Sequence, residues 1–304
     1  MAEQIVVTEN LGRKFDESWG LKSMTFTLER GNLAVMVGPN GAGKTTTIRI
    51  LSTLLKATTG NAEILGMNVV TDFKKIRKRI AYLPQGYETN RDLTPFESIR
   101  WNLVARGASF SEAKLEAKKW IEMMQLEHCK DRTGWTLSGG ERRKVAVAMI
   151  LATQAELVFL DEPTTGLDVE ACYATWKIVR DSLKSGATIL LTTHNMKEAE
   201  TIADVVVFVK EGKSLAKDNP QKLIDSLPQK YRITVKKEAV GNRNIGQAID
   251  IGDKLVIYAR SQEEVKKVLS EFADLTSIVS VNKVGLEDAY LRFVKEGGVY
   301  DWHV

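Results

Sequence analysis

LAVMVGPNGAGKTTTIRILSTLL, residues 33 to 55, decides how the chain folds. Five uninterrupted apolar residues, Leu33 to Val37, are the mark of a short strand buried on both faces. GPNGAGKT, residues 38 to 45, then fits G-x-x-x-x-G-K-[ST], and TTIRILSTLL continues it as a predicted helix. Strand, loop and helix stand in the order that phosphate binding requires. Gly38, Gly41 and Gly43 let the backbone wrap phosphate oxygens, Lys44 reaches the β and γ phosphates, and Thr45 offers a hydroxyl to Mg²⁺. The stretch predicts a nucleoside triphosphate site in an α/β domain and leaves its task open.

Outward from it, LVFL (157–160), TILLT (188–192) and VVVFV (205–209) are further continuous apolar runs, while SMTFTLE (23–29) alternates like a half-buried strand. Helical patterns follow several of them, which predicts a largely parallel sheet to about residue 215. LVFLDE ends a strand with two acids at the carboxyl edge, where such sheets place ligands. Successive side chains of an extended chain point opposite ways, so Asp161 is expected on Mg²⁺ and Glu162 on the attacking water as general base. His194 follows TILLT directly; it reads either as a structural histidine or as a hydrogen bond to the γ-phosphate. Gln85, in LPQGYETN after the short strand IAYL, reads as a surface glutamine or as a ligand of Mg²⁺ or its water. Phe15 suits the core or the face of adenine equally.

Between Gly86 and Leu151 strand signals vanish and helix signals replace them. Thr94, Pro95 and Glu97 form one capping-box start, and Ser109 with Glu112 another. Ala117, Trp120, Ile121 and Met124 make an apolar stripe, read as core. LSGGE, residues 137 to 141, opens a third helix with Ser138 as N-cap and Glu141 three residues on. Gly139 and Gly140 fall in its first turn, where N–H groups lack intrahelical partners. The residues alone leave two readings, an ordinary capped helix or a second anion site.

Past Asn219 and Pro220 the character changes: YRITV and KLVIYAR alternate like strands, and helical stripes run through Val265, Val268, Leu269, Phe272 and through Leu286, Ala289, Tyr290, Phe293. The chain of 304 residues is therefore read as a domain over 1–218, with a helical subdomain at about 86–151, and a small α+β module over 219–304. A net charge of +4 is a poor argument for nucleic acid, and no direct nucleic-acid partner is expected. The one dense basic run, Lys74 to Arg79, reads as a solvated helix face. Cys129 and Cys172 fall in no paired or metal-ligand spacing, which suits a reducing compartment and implies no zinc site. No secretory signal is expected from MAEQIVVTEN, and the longest apolar run, Val145 to Ala152, is far short of the ~20 residues of a span.

Taken in order, GPNGAGKTT, Gln85, LSGGE, LVFLDEP, TTGLD and His194 resemble the nucleotide-binding subunit of an ATP-binding cassette protein, over about residues 3 to 215. The tail with LEDAYLRF is similar, more loosely, to the extension on drug-exporter type subunits. The resemblance implies a P-loop NTPase fold with an antiparallel N-terminal β subdomain added to the parallel sheet and the inserted helices. It implies ATP and Mg²⁺ as cofactors, with Phe15, Gly38, Pro39, Asn40, Gly41, Ala42, Gly43, Lys44, Thr45, Thr46 and Gln85 on the nucleotide. Thr45, Gln85 and Asp161 are implied as metal ligands, with Glu162 and His194 catalytic. It further implies a head-to-tail pair of copies, in which Ser138, Gly139, Gly140 and Glu141 serve the partner's ATP and Gly166, Leu167 and Asp168 lie at the seam. A separate membrane-spanning permease is the implied partner, with this chain peripheral on the cytoplasmic face and export as the expected direction. An importer subunit remains open, and so does a ribosome- or DNA-directed ATPase. The last usually has two cassettes or a long coiled coil, and only 92 residues without heptads separate Lys44 from Leu137.

Overall fold

The chain opens with two long antiparallel strands, β1 (Gln4–Phe15) and β2 (Ser18–Glu29), joined by a tight reversal in which Asp16 takes φ 47°. Thr8 is buried between them, its hydroxyl donating to Phe26 O at 3.1 Å and accepting from Phe26 N at 2.8 Å. The computed structural model describes residues 3–239, 248–272 and 277–296, and it divides into two units, Met1–Lys217 and Asp218–Val304.

In the first unit β3 (Leu33–Val37) is wholly buried and leads through the glycine loop into α1 (Lys44–Leu51). The helix stops earlier than the sequence pattern suggests, because Thr53 adopts a left-handed φ of 65° and turns the chain away. Next come β4 (Thr59–Ile64), β5 (Met67–Asn68), α2 (Phe73–Arg79) and β6 (Ile80–Leu83). The inserted helices are α3 (Pro95–Ala105), α4 (Phe110–Met123) and α5 (Gly139–Leu151). Each begins with the capping box expected of it: Thr94 with Glu97, Ser109 with Glu112, and Ser138 with Glu141. After them run β7 (Leu157–Asp161), α6 (Val169–Leu183), β8 (Thr188–Thr193), α7 (Met196–Ile202), β9 (Val205–Lys210) and β10 (Lys213–Asp218).

These strands form one sheet in the order β5-β4-β1-β2-β10-β9-β3-β8-β7-β6. The stretch β9-β3-β8-β7-β6 is parallel, whereas β5-β4-β1-β2 is antiparallel, and β10 joins the halves by pairing with β2 at Lys213 and Ser23. Parallel pairing puts the ends of β3, β8, β7 and β6 on one edge, with Val37 opposite Thr193, Asp161 opposite Thr192 and Leu83 opposite Leu160. Under that edge Ile48 and Leu51 of α1 join Met36, Phe159 and Leu190 in the core. Each such buried side chain contributes about 1.5–3 kcal/mol, so the loop rests on a stiff floor.

The second unit holds α8 (Pro220–Asp225), β11 (Tyr231–Lys236), β12 (Ala248–Ile251), β13 (Lys254–Ala259), α9 (Gln262–Ser270), β14 (Ile278–Lys283) and α10 (Leu286–Glu296). Its strands pair antiparallel in the order β12-β13-β11-β14. Ile233, Val235 and Ile257 pack with Val265 and Phe272, while buried Asp288 accepts the Tyr258 hydroxyl at 2.6 Å.

Candidate functional site

The parallel edge gathers four of the residues singled out in the sequence. Glu162 is the centre: its Oε1 lies 3.3 Å from His194 Nδ1, and its Oε2 accepts from Gln85 Nε2 and Thr165 Oγ1, each at 3.3 Å. These partners follow β8, β6 and β7, so adjacent strand ends are what bring together residues up to 77 positions apart. The carboxylate is 9% exposed and the imidazole 57%.

The two acids diverge for a different reason from the one the sequence suggests. β7 ends at Asp161, and Glu162 has a left-handed φ of 48°, so a sharp turn rather than extended alternation separates the side chains. Backbone strain of this kind in a non-glycine residue persists only where neighbours hold it. Here Glu162 N donates to both Thr192 O (3.2 Å) and Thr192 Oγ1 (3.1 Å). From the other side buried Arg143, on α5, donates to the carbonyls of Asp161 (3.0 Å), Glu162 (2.6 Å) and Pro163 (2.9 Å). Burial holds that guanidinium below its ordinary pKa, and the charges of Asp161 and Glu162 oppose the shift.

Asp161 is fully buried, and its Oδ1 accepts the Thr192 hydroxyl at 2.5 Å. Its Oδ2 is buried with no hydrogen-bond partner among the described residues. A buried carboxylate oxygen without a donor calls for a cation, and oxygen donors suit a hard one such as Mg²⁺. Thr45 and the Gln85 amide oxygen offer the same kind of donor, so the residues present fit the metal.

The phosphate loop is set by two contacts. A Cβ at Gly38 would lie 2.0 Å from Val209 O, so only glycine lets the loop leave β3 beside β9. Lys44 is 6% exposed, and its ammonium donates to the carbonyls of Gly38 at 2.7 Å and Pro39 at 3.0 Å. Burial holds its pKa below the ordinary lysine value and the charges of Glu162 and Asp161 oppose that shift, which places one buried cation near two carboxylates. Pro39, Asn40 and Gly41 are exposed on the rim, Ala42 and Gly43 are buried, and Thr45 and Thr46 are half-buried. Phe15, at the end of β1, is 41% exposed with the Arg13 guanidinium 5.0 Å from its ring centre; it is not a core residue.

Ser138, Gly139, Gly140 and Glu141 lie together at the start of α5, with Ser138 N donating to Glu141 Oε2 at 2.6 Å. Ser138 Oγ accepts Glu141 N at 3.1 Å, and a Cβ added at Gly139 would meet no atom within 4 Å. Gly140 has Leu167 beside it, at 3.5 Å from such a Cβ. Gly166 turns the chain at φ 81°, and Asp168 caps α6 by accepting Ala171 N at 2.8 Å. A cavity of about 500 Å³ runs from Glu162 and His194 to Gly166 and Leu167.

Thr165, Thr192 and Arg143 escaped the sequence reading. TILLT ends in a threonine and LSGGERR carries an arginine, but neither pattern says which carbonyl or carboxylate these side chains meet.

A strand, glycine loop and helix with acids, glutamine and histidine at neighbouring strand ends define a phosphate-loop nucleoside triphosphatase. The family model described as ABC transporter matches residues 21–165. Nod factor export ATP-binding protein I of Burkholderia lata is 34% identical over 221 residues, 71% of either chain. Daunorubicin/doxorubicin resistance ATP-binding protein DrrA of Streptomyces peucetius is 33% identical over 222 residues, 73% of this chain and 67% of that one. Among solved structures, an ATP-binding subunit of an ABC transporter superposes with TM-score 0.67 at 27% identity, over 73% of this chain and 92% of the other. A dimeric ATP-binding cassette in a post-hydrolysis state with ADP and phosphate shares the fold, with TM-score 0.64 at 24% identity over 71% and 98%. The chain belongs to the ABC transporter family and is its ATPase subunit.

Proposed function

We propose that Glu162 is the general base of ATP hydrolysis, that each ATP is completed by a second copy of the chain, and that the pair drives export through a separate permease. The observation that carries the reading is the Glu162 carboxylate, approached from three neighbouring strand ends and facing the loop that holds Lys44. A water placed by Glu162 and His194 attacks the γ-phosphorus, the bond from that phosphorus to the β–γ bridging oxygen breaks, and the water's proton passes to Glu162. Lys44 and the backbone of Gly38 to Thr46 bind the phosphates, and Phe15 stacks on adenine. Thr45, Gln85 and Asp161 would hold Mg²⁺, which would supply neutralisation of phosphate charge.

The second copy enters through α5. Ser138 and Glu141 cap the first turn between them, and a Cβ at Gly139 would meet nothing within 4 Å, so the positive end of this 13-residue helix is open to an approaching anion. Ser138, Gly139, Gly140 and Glu141 therefore serve the γ-phosphate of the other copy's ATP, with Gly166, Leu167 and Asp168 at the seam. Among the described residues no helix is long and apolar enough to cross a membrane, and we assign passage to a permease docked near Gln85 and the exposed Tyr87. The chain is then peripheral on the cytoplasmic face. The names of the relatives, Nod factor export and daunorubicin/doxorubicin resistance, support export.

The test compares Glu162→Gln with the double variant Glu162→Gln, Ser138→Arg by light scattering in MgATP. The single variant should accumulate as a dimer, and the double variant should bind ATP yet stay monomeric. Equal dimerisation of the two would remove α5 from the shared site.

A further inference from the structure

The segment from α4 to α5 carries a second cluster of ligating side chains, away from the nucleotide edge. His128 and Cys129 lie in a single 3-10 turn, Glu127–Cys129, and Glu141 is the third residue of α5. His128 Nε2 is 2.9 Å from Glu141 Oε1, and one ligand atom from each of His128, Cys129 and Glu141 lies within 4.8 Å of the other two. The cluster is already ordered. Cys129 N bonds Leu126 O at 3.1 Å, fixing the turn, and Glu141 Oε2 accepts Ser138 N at 2.6 Å, which leaves Oε1 directed at His128. One wall is dry and the other wet, because Cys129 is 1% exposed and the His128 side chain 61%.

We propose that His128, Cys129 and Glu141 bind a borderline divalent cation of the zinc class, with water in the fourth position. Imidazole nitrogen, thiolate sulfur and carboxylate oxygen are the donors such an ion takes, whereas Mg²⁺ and Ca²⁺ prefer oxygen alone. Tetrahedral zinc holds such atoms about 3.3–3.7 Å apart, so the widest pair closes by no more than about 1.5 Å. The His128 side chain is 61% exposed and that of Glu141 17%, so the ring and, to a lesser degree, the carboxylate have room to adjust around an ion. Arg132 lies 3.6 Å from Glu141 Oε1 and is the cation a metal displaces; it is half exposed and also bonds Thr136, which retains it nearby. Burial and the adjacent Glu141 carboxylate push the Cys129 thiol up to about 11, so the empty cluster is a thiol. Loading forms the metal–sulfur bond and releases that proton to solvent, with no change of oxidation state.

The pattern is invisible as a motif because the three ligands fall at neighbouring positions 128 and 129 and then at 141. Binding there tethers the opening of α5 through Glu141, a residue shared with the ATP-facing turn proposed above, and a metal titration without nucleotide reads the site separately from that role.

The experiment is a Co²⁺ titration of the metal-depleted full chain. One ion per chain should bind with strong visible tetrahedral bands and a near-ultraviolet thiolate charge-transfer band, and Zn²⁺ should erase both. Cys172→Ser should keep the spectrum. His128→Ala should lose the tetrahedral bands with unchanged circular dichroism, and Cys129→Ser should lose the charge-transfer band; if Cys129→Ser does not fold, His128→Ala decides. Only the weak bands of octahedral Co²⁺ in the wild type, a full spectrum in His128→Ala, or loss of the charge-transfer band in Cys172→Ser would overturn the proposal. Co²⁺ at the Asp161 site does not mimic the result, because no thiol is among the ligands assigned there.

Discussion

Replacing Glu162 by glutamine separates chemistry from architecture. The three contacts of this carboxylate are each 3.3 Å, long for hydrogen bonds, so together they hold it weakly. Its backbone anchors to Thr192 and Arg143 do not involve the side chain and survive the change. Glutamine has the same shape and keeps one acceptor oxygen, so folding stability should fall by less than about 1 kcal/mol. Loss of a general base costs about 10²–10⁴ in rate, equivalent to ~2.7–5.5 kcal/mol on the barrier. The assay is phosphate release at saturating MgATP, alongside urea unfolding and titration with a fluorescent ATP analogue. Turnover should drop by ~10²-fold or more while the unfolding midpoint and nucleotide affinity stay near wild type. Release within about threefold of wild type would refute the role given to Glu162, a threshold well below the expected loss. An equal fall in affinity and turnover would instead make it a binding group.

Thr192→Val keeps volume but strips Asp161 Oδ1 of its 2.5 Å donor, leaving a buried carboxylate with neither oxygen bonded. The expected cost is about 2–3 kcal/mol by chemical denaturation, and a loss below about 0.5 kcal/mol would contradict the geometry. At Glu141, burial pushes the carboxyl up, but the Ser138 N–H, the His128 ring and the Ser138 hydroxyl outweigh it and bring the pKa to about 2 from 4.5. That stabilisation is complete above pH 4.5 and disappears as pH falls toward 2, so Glu141→Ala should lose up to about 3 kcal/mol of pH dependence in this window. Parallel stability curves for the variant and wild type between those pH values would count against it. Phe15→Ala should weaken ATP binding by about 2- to 10-fold, the ~0.5–1.5 kcal/mol of one aromatic stack, with no change in melting because the ring is exposed. Unaltered affinity would take Phe15 off the adenine.

The phosphate loop, the parallel edge and the three capped helices were legible because each is a local pattern. Gly38 to Thr45 has fixed spacing, the buried strands are short apolar runs, and Ser138 with Glu141 closes within one turn. What could not be read depends on distant neighbours. β1 pairs with both β2 and β4 through several register shifts, which blur its alternation, and β14 leaves Val279 and Val281 exposed. The sequence carries the strand through Asp161 into Glu162, but the turn at Glu162 is imposed by Thr192, 30 residues on, and Arg143, 19 residues back. Phe15 was undecidable between core and surface, since only the position of the hairpin end exposes its ring.

Arg143 lies one and a half turns along the same rod whose tip is Ser138. The rod thus has an exposed point and a clenched fist, and the fist grips the three carbonyls around Glu162. One helix therefore links the Ser138 tip to the peptide units that carry Glu162, through the Arg143 bonds to the carbonyls of Asp161, Glu162 and Pro163. Under the proposed roles of α5 and Glu162, docking of a second copy and placement of that carboxylate would be one motion of one helix.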